Sequence, residues 1–219
     1  MSLIRVVWSK ILEILFPRIC ISCSRYLSQN EGENLLCDAC FDSIEILEEV
    51  PGARVHSVGL YSSKPLRDLI HGLKFKRYIK AMSQIEKLIH KYFEKNPNSV
   101  LKQCDLITFI PLHPERQRKR GFNQAELIAR VSENYSHISV QPLLKRINST
   151  QEQSSIKGFP NRAENVRGCF ELLVNTPVNQ KILLVDDVYT SGSTATEAVR
   201  VLRAGNPQSI IVFVLAEVR

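Results

Sequence analysis

Two adjacent carboxylates precede a run of small and hydroxyl residues late in the chain. Asp186 and Asp187 follow the short apolar run 182–185, which predicts a buried strand of a parallel sheet. Open α/β sheets bind ligands at the carboxyl ends of such strands. The residues after the acids lead into a predicted helix at 195–203, and a helix N-terminus attracts phosphate through its free N–H groups. The candidate phosphate ligands are Thr190, Ser191, Gly192, Ser193 and Thr194.

An acid pair beside a phosphate loop is typical of a sugar phosphate site. The loop would take the phosphate, and Asp186 and Asp187 would take neighbouring ribose hydroxyls. A pyrophosphate on the same sugar would bring Mg²⁺, which proteins hold through few carboxylates plus substrate oxygens. The alternative is a strand–turn–helix whose acids only cap the helix, but capping needs one acid, not two. A Walker A loop is excluded because no Gly-Lys-Ser/Thr follows the strand.

A second anion site is predicted in a basic loop, where four cations occupy the five positions 116–120. They follow a predicted strand at 105–110 and precede a predicted helix at 123–134. Arginine binds phosphate oxygens in a bidentate manner, so we favour contact with a pyrophosphate through Arg116, Arg118 and Arg120. A solvated basic loop and a nucleic-acid patch are the alternatives.

Four cysteines form two pairs, Cys20-x-x-Cys23 and Cys37-x-x-Cys40, with thirteen residues between the pairs. This spacing is typical of a zinc site in which each pair gives two thiolates to one tetrahedron. Four protein ligands leave no open position, which indicates structural rather than catalytic zinc. A redox pair, two disulfides and an iron–sulfur cluster are the alternatives. We interpret the remaining cysteines, at 104 and 169, as ordinary buried thiols.

The length of the chain indicates its domain organisation, and its net charge indicates the type of ligand. The 219 residues suffice for one domain and a small module, and we predict a boundary at Pro51-Gly52. Residues 1–50 would hold an amphipathic helix at 3–16 and the cysteine module, and residues 51–219 the main domain. The net charge of +7 suits a polyanionic ligand, although residues 31–49 hold seven acids and no Lys or Arg.

The sequence also predicts the compartment. No apolar run reaches the length of a membrane span, and the N-terminus lacks a signal-peptide cleavage site. We therefore expect a cytoplasmic protein with reduced cysteines and no transmembrane segment. The helix predicted at 3–16 is expected to pack on the protein, with a membrane surface as the alternative.

Together the motifs resemble the ComF family, which is phosphoribosyltransferase-like and linked to competence, the uptake of DNA by bacteria. Ser191 and Ser193 stand where that family often has Thr and Ala, and both substitutions keep a small side chain. Besides the cysteine pairs, the resemblance rests on Pro111-Leu112-His113, Arg118-Lys119-Arg120-Gly121-Phe122-Asn123-Gln124, Thr150-x-x-Gln153, Arg162-x-x-Asn165-Val166 and the run from Val185 to Thr194.

The resemblance implies an α/β fold of the type I phosphoribosyltransferase kind: a parallel sheet flanked by helices, preceded by a zinc module. It implies binding of phosphoribosyl pyrophosphate (PRPP) with Mg²⁺ at Asp186, Asp187 and residues 190–194, and structural Zn²⁺ at the cysteines. It also implies single-stranded DNA as a partner and a role in natural transformation. A helicase of the uptake machinery is a further partner, which the acidic stretch 31–49 would dock.

Enzyme activity stays open at this stage. An active phosphoribosyltransferase of nucleotide metabolism, a pentosyltransferase, is the alternative, with Arg116, Arg118 and Arg120 stabilising the departing pyrophosphate and Lys74 as a weaker candidate. Some purine-using relatives carry an Asp at the position of Thr190, and a threonine cannot accept a proton near neutral pH. A binder would instead use the basic surface for single strands, with Phe75, Tyr78 and Phe122 as stacking platforms.

Overall fold

The computed structural model describes residues 17–31, 34–73, 78–147, 166–173 and 179–219. The helix predicted at 3–16, Lys74, Phe75 and the motifs at 150–165 lie outside these residues. The helices are α1 (Asp38–Asp42), α2 (Lys64–Leu73), α3 (Tyr78–Lys95), α4 (Pro114–Arg120), α5 (Gln124–Ser136) and α6 (Ser193–Leu202). The strands are β1 (Val55–Leu60), β2 (Leu106–Phe109), β3 (Leu144–Arg146), β4 (Phe170–Leu172), β5 (Lys181–Tyr189) and β6 (Ser209–Glu217).

A four-stranded parallel sheet with the order β1–β6–β5–β2 forms the centre of the molecule. Residues 139–141 run alongside β2, where the Ile107 N–H donates to the Ser139 carbonyl at 3.0 Å. This contact is only a short bridge, and β3 begins at Leu144. β3 and β4 form a separate antiparallel pair. The arrangement confirms the predicted α/β fold with a parallel sheet flanked by helices.

Both faces of this sheet are covered, and β5 shows how. Leu183 and Val185 belong to a core shared with α2, α3 and α5, whereas Ile182 and Leu184 belong to a core under α6 and the β3–β4 pair. Side chains alternate along a strand, so successive residues of β5 face opposite cores. A strand buried on both sides must be apolar throughout, which explains the continuous apolar run in the sequence.

The cysteine module shares the first core. Leu35, Leu36 and Cys37 are buried in the same cluster as the residues of α2 and α3. Gln84 of α3 is 1% exposed, and its side-chain oxygen accepts from the N–H groups of Leu35 and Leu36, both at 2.9 Å. Its amide nitrogen donates to the Leu36 carbonyl at 3.0 Å. The predicted division at residue 50 stays a prediction, but the two parts are joined by buried polar contacts.

Several acids of the stretch 31–49 bind groups within the protein. Glu49 accepts from the Tyr92 hydroxyl and the Val100 N–H, each at 2.9 Å. Asp42 pairs with Lys91 of α3 at 2.8 Å. The stretch is therefore used in part to fasten the module to α3, and it does not present all of its acids to a partner.

No helix among the described residues is long and apolar enough to cross a membrane.

Candidate functional site: an anion-binding edge and a cysteine cluster

The two acids lie at the carboxyl end of the sheet. Both belong to β5 itself, since the strand continues to Tyr189, and Asp186 stands beside Val214 of β6. The Asp187 N–H donates to the Asp186 carboxylate at 2.8 Å, and both side chains are half-buried. The pair is thus placed where parallel sheets bind ligands, as the sequence predicted.

The loop after β5 has the shape of an anion cradle. Thr190 and Ser191 are exposed, and the Ser191 and Ser193 hydroxyl oxygens lie 2.9 Å apart. Gly192 directly precedes α6 in a left-handed conformation, and no side chain among the described residues caps the helix there. The first N–H groups of a ten-residue helix therefore point to the loop without a side-chain cap, together with the positive end of the helix dipole.

Tyr189 explains why the centre of the loop is glycine. Gly192 has a φ of +73°, and a Cβ there would meet the Tyr189 Cζ at 2.6 Å and collide with the hydroxyl. The Tyr189 carbonyl in turn accepts from the Val218 N–H at 2.9 Å, which ties the loop to the end of β6. The aromatic ring thus lies against the loop, a role that no sequence pattern indicated.

The basic segment predicted to be a loop is a helix. Pro114 stands in the first turn of α4, where proline is tolerated, and the His113 side chain accepts from the Glu115 N–H at 3.4 Å. Gly121 ends the helix with a φ of +83°. The prediction of a basic loop at 115–120 was therefore wrong in conformation, because proline and glycine frame a short helix.

This helix separates the three candidate arginines. Arg116 and Arg120 are four residues apart, share one side of α4 and are half-buried. Arg118 lies on the opposite side and is exposed. The helix therefore groups Arg116 with Arg120 and sets Arg118 apart, and the role of all three in pyrophosphate contact stays a prediction.

Arg146 is a residue of this edge that sequence reasoning missed. It ends β3, is half-buried, and its guanidinium lies 5.3 Å from the centre of the Phe170 ring. Burial and then the neighbouring cation Arg116 lower the pKa of Arg146, whereas the Asp186 carboxylate acts to raise it. Arg116, Arg146 and Asp186 are therefore electrostatic neighbours, although they come from three elements.

Glu197 braces the helix that follows the loop. This buried carboxylate of α6 accepts from the Gly168 N–H at 2.7 Å and from two Arg200 nitrogens at 2.8 Å each. The hydrogen bonds from Arg200 and Gly168 lower the pKa of Glu197 despite its burial. The segment before β4 is thereby fixed to α6.

The four predicted cysteine ligands converge. Their Sγ atoms all lie within 4.8 Å of one another, and those of Cys23 and Cys37 are 3.7 Å apart. A tetrahedron with Zn–S bonds of about 2.3 Å places its sulfurs about 3.8 Å apart. All six cysteines are free thiols, which argues against the disulfide alternative. Cys104 and Cys169 are buried, as expected.

Each cysteine pair is shaped by its own turn. The Ser24 N–H donates to the Cys20 carbonyl at 2.9 Å, and Ser24 adopts a φ of 62° that closes the first turn. Cys37 caps α1, where its Sγ accepts from the Cys40 N–H at 3.4 Å. Two local turns are thus sufficient to aim four sulfurs at one centre.

An ion pair between the exposed Arg25 and the buried Glu31 lies beside this cluster. The Arg25 guanidinium donates to the Cys37 sulfur and pairs with Glu31, whose carboxylate also accepts from the Ser28 N–H at 2.6 Å and the Asp38 N–H at 3.0 Å. Burial acts to raise the pKa of Cys37, but the bonds from Arg25 and Cys40 outweigh it and lower the pKa to about 6. Arg25 therefore favours the thiolate form of Cys37, whereas burial and the neighbouring sulfurs raise the pKa of Cys40.

Several known proteins are similar to this chain over most of its length. The family model described as "Phosphoribosyl transferase domain" matches residues 139–219. Competence protein F of Haemophilus influenzae is 28% identical over 201 residues, which cover 90% of this chain and 82% of the relative. DNA utilization protein YhgH of Escherichia coli (strain K12) is 30% identical over 170 residues, covering 75% and 72%. Competence protein ComFC of Bacillus subtilis (strain 168) is 36% identical over 107 residues, covering 48% and 42%.

Proposed function

The chain belongs to the ComF family of phosphoribosyltransferase-like proteins, and we propose that it binds PRPP with Mg²⁺ and acts in DNA uptake during natural transformation. The observation that carries PRPP binding is the glycine-centred loop at an uncapped helix N-terminus, directly after two acids at the carboxyl edge of the sheet. The names of the relatives favour DNA uptake over an enzyme of nucleotide metabolism.

Each group of residues would bind a different part of PRPP, according to its chemistry. The loop 190–194 and the first turn of α6 would bind the 5-phosphate, because both offer donors to an anion. Asp186 and Asp187 would accept from the ribose hydroxyls, and their hard oxygens suit Mg²⁺ bound to the pyrophosphate. Arg116 and Arg120 would face the pyrophosphate from α4. Mg²⁺ supplies charge neutralisation there when it is bound with the substrate.

Calorimetric titration with PRPP and Mg²⁺ tests this proposal. The wild type should bind, and Asp186→Asn/Asp187→Asn should lose binding because the ribose contacts and the carboxylate charge disappear together. Asp105→Asn is the matched control, since Asp105 accepts from the Lys181 N–H at 2.8 Å at the amino end of β5. A folded wild type that does not bind PRPP would overturn the proposal.

We propose that the cysteine cluster holds one structural Zn²⁺ through Cys20, Cys23, Cys37 and Cys40. The sulfur positions and the Arg25 hydrogen bond to Cys37 support this assignment. Free thiols throughout also suit the reducing cytoplasm, which is the location we propose. Metal analysis of the purified protein should give one zinc per chain, and iron or no metal would contradict the assignment.

Single-stranded DNA binding is a second candidate function, and the outer side of α4 supports it. Arg118 and Lys119 are exposed, and neither forms an ion pair within the described part of the chain. Arg118→Gln should reduce the log–log salt slope of single-strand binding by about 0.7, the value for one phosphate contact. An unchanged slope would remove Arg118 from the interface.

Docking of a helicase through the acids of 31–49 is also proposed, and chelation of zinc should abolish it.

A further inference from the structure

Glu31 is a buried carboxylate that lies between the two cysteine pairs in the chain. Its residue is 3% exposed, and a charged side chain is almost never buried to this extent unless it is paired. The carboxylate accepts from the Ser28 N–H at 2.6 Å, from the Asp38 N–H at 3.0 Å and from the Arg25 guanidinium. One side chain thus joins the segment after the first cysteine pair to the start of α1 in the second pair.

Two partners of Glu31 stand next to cysteine ligands. The Arg25 carbonyl accepts from the Cys20 N–H at 2.8 Å, so the backbone of Arg25 closes the first cysteine turn while its side chain binds Glu31. Asp38 directly follows Cys37 and is the first residue of α1. Displacement of the Glu31 carboxylate would therefore release the backbone beside one ligand of each pair.

The second cysteine pair depends on such outside contacts. α1 has five residues, and a helix of this length is not stable without tertiary partners. The first N–H groups of a helix have no partner inside it. In α1 the Asp38 N–H is bound by Glu31, and the Cys40 N–H is bound by the Cys37 sulfur at 3.4 Å. Glu31 therefore holds the end of α1 that carries Cys37.

The charge of Glu31 does not account for its place beside the cluster. One Zn²⁺ with four thiolates carries a net negative charge, so a further carboxylate nearby opposes zinc binding electrostatically. The three hydrogen bonds act in the opposite direction, because they fix the two turns relative to each other. The two effects predict opposite changes in zinc affinity when the carboxylate is replaced.

We propose that Glu31 is a positioning residue of the zinc site, which holds the two cysteine pairs at the spacing that brings their four sulfurs together. This inference rests on the proposed structural Zn²⁺. Side chains that orient metal ligands without touching the metal typically account for about 10- to 100-fold in metal affinity.

Competition with a chromophoric chelator measures the zinc affinity of the full chain. Glu31→Gln replaces one carboxylate oxygen with an amide donor, so at least one of the three donors loses its acceptor, and zinc binding should weaken about 10- to 100-fold. Glu31→Asp keeps the charge but has a shorter reach, and it should recover only part of the affinity. Glu48→Gln is the matched control, since the Glu48 side chain is 78% exposed and pairs with Lys95 at 3.7 Å. It should bind zinc as the wild type does.

Cobalt substitution separates positioning from a general effect on stability. The visible bands of Co²⁺ bound by four thiolates depend on the geometry of the ligands. These bands should shift in folded Glu31→Gln, whereas a role in stability alone would leave them unchanged.

Wild-type cobalt bands or undiminished zinc affinity in Glu31→Gln overturn the inference, and tighter zinc binding would show that charge repulsion dominates. If Glu31→Gln does not fold, the same results in Glu31→Asp overturn it. A wild type that takes up no zinc overturns the zinc assignment and this inference with it, whereas a zinc-loaded wild type with an unaffected Glu31→Gln overturns this inference alone.

Discussion

The cysteine cluster and the proposed anion site are built in opposite ways. The cluster takes four side chains of one type from two local turns within residues 20–40. The anion site takes its groups from the end of β5, the start of α6, the inner side of α4 and the last residue of β3. The residue spacing is sufficient to predict a local site. A site assembled from distant segments can be predicted only when the topology and the orientation of each helix are known.

The two sites also differ in what surrounds them. The charged neighbours of the cluster come from the module itself, with Arg25 next to Cys37 and Glu31 next to Arg25. At the anion site, the cations Arg116 and Arg146 lie on different elements and face one acid. We therefore expect removal of one cluster ligand to destabilise the fold, and removal of one charged side chain of the anion site to change ligand binding with little effect on folding.

Cys37→Ser should have the largest effect on stability. Structural zinc in small modules contributes an apparent 10–16 kcal/mol, about as much as the whole net stability of a domain. Because Cys37 also lies in the shared core, we expect loss of zinc and unfolding that extends to α2 and α3. Metal content and near-ultraviolet circular dichroism measure both effects. Cys104→Ala is the control and should keep its zinc, and a zinc-free Cys37→Ser with native circular dichroism would contradict the coupling.

Gln84→Leu should have the next largest effect, because it tests whether the module and the main domain are one cooperative unit. The substitution leaves three backbone groups of Leu35 and Leu36 buried without partners, at a cost of about 4 kcal/mol in unfolding free energy. Zinc should also pass to a chelator faster. Gln117→Leu makes the same change at an exposed site of α4 and should alter stability by less than about 0.5 kcal/mol.

The sequence predicted the parts of the fold that depend on local pattern. The acid pair, the loop 190–194 and the cysteine pairs were found because each motif is short and contiguous. The conformation of 115–120 was missed, since a seven-residue helix is too short to show an apolar period. Pro114 and Gly121 were the available signals, as residues that start and stop helices.

The residues missed altogether are those whose partners are distant in sequence. Arg146 faces the site only because β3 pairs with β4 in one register, and a shift by one residue would turn Lys145 inward instead. Gln84 and Glu197 bind the backbone of segments 48 and 29 residues away. No periodicity of the sequence encodes such pairs.

Gly192→Ala tests how strictly the anion loop is shaped, and Gly121→Ala is its control. Both glycines have positive φ, but a Cβ at Gly121 would meet nothing within 4 Å, whereas one at Gly192 would collide with Tyr189. We expect a loss of about 1 kcal/mol in unfolding free energy for Gly121→Ala and about 3 kcal/mol for Gly192→Ala. Denaturant titration measures both. In a Tyr189→Ala background the two costs should become similar, and a persistent difference would show that the ring is not the obstacle.

Glu197→Gln should have the smallest effect of the four and one that depends on pH. The native hydrogen bonds lower the pKa of Glu197, so its stabilisation is complete above the ordinary glutamate value of about 4.3 and fades as the pH falls through the native pKa. The variant keeps an acceptor for the Gly168 N–H but loses the charge that binds Arg200. We expect the unfolding free energy to fall by about 2 kcal/mol near neutral pH.

Unfolding titrations of wild type and Glu197→Gln between pH 7 and pH 3 should therefore converge at the acid end. Glu171→Gln removes the exposed pair with Lys145 and should cost less than about 1 kcal/mol throughout. A Glu197 difference that stays constant with pH would mean that shape rather than charge fixes the segment at Gly168. In that case α6 would be a structural element, as the cysteine module is, and the anion site would consist only of the loop 190–194 and the arginines.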